Sequence, residues 1–159
     1  MDSQAFTFFH VAISLIAILS GLMVLYGLLT AKRMRGMTLL FLVTTVATSV
    51  TGYFFHRDHI MPSHIVGGVS LLFLCAAIVA LYTFRLRGVW RVVYVVSAVA
   101  SLYLNVFVLV AQAFGKIAFL HALAPNGSEP PFIIVQVIVL AAFVILGLAA
   151  VRRFRPRPV

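Results

Sequence analysis

The segment that decides the fold is the first one, FTFFHVAISLIAILSGLMVLYGLLT, which covers residues 6–30 and is followed at once by the basic stretch AKRMRG at residues 31–36. A bilayer core about 30 Å thick needs roughly 20 apolar residues in a helix that crosses it. The segment is long enough and contains no Asp, Glu, Lys or Arg. It also lacks the basic N-terminal residues of a cleaved signal peptide. It therefore predicts a retained transmembrane helix.

Four further segments are also long and apolar, at residues 37–55, 63–84, 88–116 and 131–151, and the third of them carries Arg91 and Lys116 near its ends. Of the 159 residues, 64% are hydrophobic and 9% are charged, and the mean hydropathy of +1.16 exceeds that of ordinary soluble domains. The connections between the segments are short, which favours antiparallel neighbours. The sequence thus predicts an all-α integral membrane protein, residues 1–159 forming a single transmembrane domain built as an up-and-down bundle of five helices.

The charges predict the orientation of this bundle. Ten of the twelve Lys and Arg residues lie on one side, at residues 32–35, at residues 85–91 and in the basic tail at residues 152–159. Cytoplasmic loops carry the excess of basic residues, so we expect an outside N-terminus and a cytoplasmic C-terminus in a bacterial-type inner membrane. We therefore attribute the net charge of +9 to contact with the lipid bilayer, and we expect no nucleic acid as partner.

Histidines gather on the predicted outer side, most visibly in TGYFFHRDHIMPSHIVGG at residues 51–68. An ionisable side chain within a span is costly and usually faces the bundle interior with a partner. We therefore expect several helices to present histidines to one cofactor near the outer face. A position at the lipid interface, where amphipathic side chains are common, is the alternative for each of them. The proposed ligands are His10, His56, His64 and His121.

Small residues lie deeper in the span than three of these histidines, on the same helical face. Ser14, Ala17 and Gly21 follow His10 in this way. Gly52 precedes His56 on its helical face, and Gly67 and Gly68 follow His64. Such residues leave room between helices for a flat macrocycle or a quinone ring. Close helix packing is an equally good explanation, since small residues are enriched at transmembrane helix contacts.

Polar residues on the fourth predicted span end near the same side. Asn105, Gln112 and Lys116 share one helical face at spacings of seven and four residues. Lys116 and Arg57 are candidates to bind haem propionates or a quinone carbonyl as charged donors. Asn105 and Gln112 are candidates for the same cofactor site. The alternative for the two amides is interhelical hydrogen bonding.

Haem is the cofactor that best suits this pattern, because two histidines on facing helices bind its iron from both sides. The CxxCH motif of covalent attachment is absent, so the expected cofactor is non-covalent haem b. The first alternative is an outer-face copper or zinc site, to which Asp58, His59 and Glu129 would contribute. The second is a small permease or assembly subunit without a cofactor, although the midplanes of the spans are mostly apolar.

The plan of single histidines on several spans resembles the small membrane-embedded b-type cytochromes that exchange electrons with quinone. The resemblance covers residues 6–123 and depends on His10, His56, His64 and His121. It implies haem b, electron transfer, and quinone or a redox partner protein as partners. An oligomeric assembly is compatible with the same plan. Those cytochromes commonly have four core helices, so the fifth span is a departure.

Overall fold

A computed structural model describes residues 4–55 and 62–155, and all regular secondary structure in these ranges is helical. The all-helical prediction is therefore confirmed. A short helix after the fourth long one was not predicted. The helices are α1 (Gln4–Leu29), α2 (Arg35–Gly52), α3 (Pro62–Ile78, continued by a π-helical turn at Val79–Thr83), α4 (Val89–Lys116), α5 (Ala118–Leu123) and α6 (Pro130–Arg153).

Four helices in the described ranges are long and apolar enough to cross a membrane. They are Gln4–Leu29, His64–Thr83, Val89–Lys116 and Pro130–Arg153. The helix at the predicted second span, α2, is not among them, because it begins with Arg35 and is rich in threonine. Its polar side chains are nevertheless largely inside the protein. The buried ones are Thr38, Thr44, Thr45 and Ser49.

Helices α1, α2 and α4 meet in a tightly packed core. A Cβ atom on Gly21 would lie 2.6 Å from Leu102 Cδ1 and 2.9 Å from two ring atoms of Phe41. Both neighbours are 1% exposed, so only glycine fits this position without displacing them. The small residues deeper in α1 than His10 therefore serve close helix packing at Gly21, which is the alternative that the sequence left open.

Helix α6 lies beside α4, and two contacts from opposite ends show that the two run antiparallel. The Nη1 atom of Arg91 donates to the carbonyl oxygens of Val151 at 2.7 Å and Phe154 at 2.6 Å. Near the other end, Nε2 of Gln136 donates to the carbonyl oxygen of Phe107 at 3.1 Å. The rest of α6 is largely exposed, so α6 forms the periphery of the molecule.

Candidate functional site

His10 on α1 is held against the C-terminal end of α2. Its Nδ1 atom lies 2.8 Å from Oγ1 of Thr51. The edge of its ring meets Phe55, with ring centroids 5.0 Å apart at 84°. The contact arises because α1 and α2 are antiparallel, so the beginning of one helix packs against the end of the other.

The neighbours of Thr51 determine which nitrogen of His10 carries the proton. Oγ1 of Thr51 donates its single hydrogen within its own helix, to the carbonyl oxygen of Ala47 at 2.7 Å, with Thr48 O at 3.2 Å. Oγ1 must then accept from His10, so Nδ1 bears the hydrogen and Nε2 of the neutral ring has a free lone pair. Within residues 4–55 and 62–155, no hydrogen bond reaches Nε2. A histidine fixed by a hydrogen bond from its other nitrogen is the usual arrangement of a metal ligand.

His64 is engaged by a different residue, Tyr53. The two rings are stacked, with centroids 5.4 Å apart and planes 13° apart. The hydroxyl of Tyr53 also donates to the carbonyl oxygen of His64 at 2.7 Å. Thr51 and Tyr53 are two residues apart, which on a helix of 3.6 residues per turn puts them on nearly opposite faces. His10 and His64 therefore contact different sides of α2.

The predicted room beside Gly67 and Gly68 is occupied by the side chain of Tyr53. A Cβ atom on Gly68 would lie 3.0 Å from the Tyr53 hydroxyl oxygen, and one on Gly67 would lie 3.5 Å from its Cε2. The two glycines thus admit a tyrosine ring of the same chain. Gly52 is placed on the His10 side, since its Cβ would lie 3.8 Å from Cε1 of His10.

Two of the predicted site residues lie at the C-terminal end of α4 and just beyond it. Lys116, its last residue, is exposed and close enough to His10 to interact with its ring electrostatically. His121 is exposed on the short helix α5, which begins after Ile117 breaks α4 with an extended backbone conformation. The structure thus places Lys116 within electrostatic range of His10, and it leaves His121 exposed five residues later in the chain.

The two amides of α4 are not part of this arrangement. Nδ2 of Asn105 donates to Oγ1 of Thr45 at 3.3 Å, which joins α4 to α2 at a point six residues before Thr51, the partner of His10. Gln112 is exposed. Interhelical hydrogen bonding, the alternative considered from the sequence, therefore accounts for Asn105.

Residues 56–61 lie outside the described residues, so the predictions for His56, Arg57, Asp58 and His59 stay predictions. Within the described ranges, no group of three or more His, Cys, Asp or Glu side chains is arranged to hold a metal ion.

Glu129, the described acid proposed for a metal site, is engaged in its own loop. Its carboxylate accepts from the backbone N–H of Asn126 at 3.0 Å, from Nδ2 of Asn126 at 2.8 Å and from the N–H of Ser128 at 3.0 Å. These bonds, that from the Asn126 backbone foremost, hold the pKa of Glu129 below its ordinary value. The same bonds engage the oxygen atoms that a metal would need.

The sequence patterns did not identify Thr51 and Tyr53 as neighbours of the histidines. A signal for Thr51 exists in the chain: two antiparallel helices joined by a short loop bring residues equidistant from that loop into contact. His10 and Thr51 satisfy this relation, as do Gly27 and Met34 closer to the loop. The stacking of Tyr53 on His64 has no comparable signal.

Comparison of the chain with protein-family models, with curated proteins and with solved structures finds no match. The inferences about function therefore depend on the residues of the chain itself. Among these, the most specific arrangement is His10, oriented by Thr51 and approached by Lys116.

Proposed function

We propose that the protein is a five-helix bundle of the bacterial-type inner membrane, with its N-terminus outside and its C-terminus cytoplasmic. Four helices have the length and composition of membrane spans. We include α2 as the fifth span because its buried threonines face the other helices, while Leu39 and Val43 are 55% and 57% exposed.

The outward faces of the other helices support insertion in lipid. Phe8 on α1 is 78% exposed, Leu72 on α3 is 72% exposed and Ile145 on α6 is 66% exposed. Continuous exposed apolar surface of this kind is unfavourable in water and marks contact with a membrane or partner. A bilayer removes this surface from water on all sides of the bundle at once.

Single-cysteine labelling tests the orientation. In a Cys75→Ser background, Gln4→Cys is expected to react with a membrane-impermeant maleimide in intact spheroplasts. Arg155→Cys is the matched probe at the opposite end and is expected to react only after the membrane is opened. The reverse pattern would contradict the orientation.

Within this bundle, we propose electron transfer through a haem b bound near the outer face, with His10 as one axial ligand. The observation that carries the proposal is the hydrogen bond from Nδ1 of His10 to Thr51, which leaves the Nε2 lone pair available. Haem iron would supply one-electron redox chemistry there. Quinone or a redox partner protein would be the exchange partner.

The surrounding residues have distinct roles in this proposal. Lys116 is near His10 and would bind a propionate as a charged donor. His64 packs on Tyr53 on another side of α2, so its use as the second ligand would require that contact to break. Exposed His121 is the better second ligand among the described residues, and His56 is the candidate outside them.

An absorption spectrum of protein purified in mild detergent, before and after dithionite, tests the proposal. We expect a Soret band that shifts on reduction and sharp visible bands. His10→Ala should lose them, whereas Gln112→Ala, the exposed control on α4, should keep them. Full haem content in His10→Ala, or a featureless spectrum of protein produced with haem supplied, would refute the proposal. In the second case elemental analysis would test the copper or zinc alternative.

A further inference from the structure

A cavity of about 420 Å³ lies at the opposite end of the bundle from His10. Three cationic residues line it in the connection from α1 to α2, namely Lys32, Arg33 and Arg35. The hydroxyl-bearing side chains of Thr38 and Tyr94 also line it, and they are 7% and 3% exposed. Cavities that hold small ligands typically measure about 300–1,000 Å³, so the volume is sufficient for a ligand.

The backbone fixes the cationic side of the cavity. Ala31 adopts a left-handed conformation with φ of 56°, and the N–H of Lys32 then donates to the carbonyl oxygen of Gly27 at 2.8 Å. A Cβ atom on Gly27 would lie 2.8 Å from the carbonyl oxygen of Lys32, so glycine is required for this close return of the chain. The connection is therefore folded back onto the end of α1 by its own hydrogen bonds.

The cations of this cavity have no acidic neighbour in the described ranges. Glu129 is the sole acid there, and it precedes the first turn of α6, whereas the cavity is lined by Phe154 at the other end of that helix. Like charges this close in the chain repel one another unless an anion screens them. The ligand that this charge pattern favours is therefore an anion.

The remaining walls of the cavity are apolar and include Val24, Leu28 and Leu81, which are 5%, 3% and 7% exposed. A free inorganic anion makes no favourable contact with apolar side chains. An amphiphile, in contrast, would place a charged group among the cations and its first methylene groups against the apolar side chains. The combination of three cations, two buried hydroxyl groups and apolar walls is that of a headgroup site.

We propose that this cavity binds the phosphate group of an anionic lipid at the cytoplasmic end of the bundle. Lys32, Arg33 and Arg35 neutralise the phosphate, and Thr38 and Tyr94 contact the polar atoms next to it. The shared chemistry is phosphate binding, and the apolar walls favour the lipid over free phosphate. The site is independent of the haem proposal, since no cavity residue lies near His10.

Titration of delipidated protein in neutral detergent tests the site. Thermal unfolding and native mass spectrometry would be followed with phosphatidylglycerol, with phosphatidylcholine and with inorganic phosphate as probes. We expect a saturable rise in Tm and one tightly bound lipid with phosphatidylglycerol, and little change with the other two. Absence of any effect of phosphatidylglycerol would overturn the proposal. An equal effect of inorganic phosphate at the same site would identify the free anion as the ligand and overturn the lipid assignment.

Two triple variants separate the cavity from general surface charge. Lys32→Gln/Arg33→Gln/Arg35→Gln is expected to weaken phosphatidylglycerol binding about 100-fold, because each cation that touches the bound phosphate contributes roughly a 5-fold factor, at the upper end of the range for a solvent-accessible ion pair. The control removes the same charge at the same end of the bundle but outside the cavity. It is expected to bind within about 3-fold of the original protein, because solvent and salt screen charges that do not touch the phosphate. It is Arg87→Gln/Arg152→Gln/Arg153→Gln. Equal losses in the two variants would overturn the proposal.

Milder variants keep the test decisive if the first triple variant does not fold. Arg33→Gln alone is expected to weaken binding about 5-fold. Thr38→Val and Tyr94→Phe each remove one hydroxyl group inside the cavity, together with the hydrogen bond between Thr38 and Tyr94. Both are expected to weaken binding without changing surface charge. Unchanged binding in all three variants would place the lipid outside the cavity and contradict the proposal.

Discussion

Replacing Thr51 by valine removes the hydroxyl that accepts the Nδ1 proton of His10, while the shape of the side chain is almost unchanged. The lost bond is 2.8 Å long and half-buried. A typical hydrogen bond contributes about 0.5–1.5 kcal/mol net, and a buried donor left without an acceptor costs about 1–3 kcal/mol. Since His10 is half-buried, we expect Thr51→Val to lower the free energy of unfolding by about 1–2 kcal/mol.

Thr44→Val is the matched control on the same helix. Oγ1 of Thr44 donates to the carbonyl oxygen of Leu40 at 2.7 Å, a bond within α2, so its loss leaves no interhelical donor without a partner. We expect a cost below about 0.5 kcal/mol, within the range of a minor substitution. Thr51→Ser retains the hydroxyl and should restore most of the lost stability.

Reversible unfolding in mixed micelles with increasing dodecyl sulfate would measure these differences. The single tryptophan, Trp90, is a fluorescent reporter whose ring stacks on Phe84 with centroids 3.8 Å apart. The proposed haem site gives a second readout. The affinity for haem should fall about 10–100-fold in Thr51→Val, as is usual when a residue that orients a metal ligand is removed. Equal stability of Thr51→Val and Thr44→Val, or failure of Thr51→Ser to restore stability, would refute the hydrogen-bond assignment.

Three other regions give further predictions. Gly21→Ala should lower the free energy of unfolding by about 1–2 kcal/mol through overpacking against Phe41. Gly147→Ala is the control, since its Cβ would meet Val99 at an ordinary 3.4 Å, and it should leave stability unchanged or raise it. Equal unfolding midpoints of the two variants would contradict this. Arg91→Leu should cost about 1.5–3 kcal/mol by removing charged hydrogen bonds to the end of α6, and protease sensitivity of the C-terminus should rise with it; unchanged cleavage would count against the bond. The pKa of Glu129 is lowered in the folded protein, so its carboxylate stabilises the loop at pH values above the ordinary glutamate pKa, and this stabilisation is lost as the pH falls through the folded pKa. The NMR chemical shifts of the loop amides should change across this pH range in the original protein and stay constant in Glu129→Gln.

The positions of the long helices followed from local composition. Apolar segments of sufficient length form helices in a membrane because each helix satisfies its own backbone hydrogen bonds. Helix formation therefore depends little on contacts with other parts of the chain. The described helix α2 ends at Gly52, a few residues before the predicted limit at residue 55. The threonines that lower its hydropathy became interpretable only from their burial in the protein.

The candidate site was predictable only in part. His10 stood out in the sequence because an ionisable residue within an apolar segment is costly. Which side of α2 each histidine contacts depends on helix rotation, and a rotation of one residue, about 100°, moves a side chain to another neighbour. For this reason the sequence could not predict that His10 contacts Thr51 whereas His64 stacks on Tyr53.

The amino-acid sequence by itself determined the helical class, the approximate helix limits and the asymmetric distribution of basic residues, because these follow from local composition and chain order. Only the tertiary structure decided that Tyr53 fills the room beside Gly67 and Gly68, and that Lys32 borders a cavity with Tyr94. Such contacts join residues far apart in the chain, and their geometry is set by the mutual packing of several helices, for which local composition carries no signal.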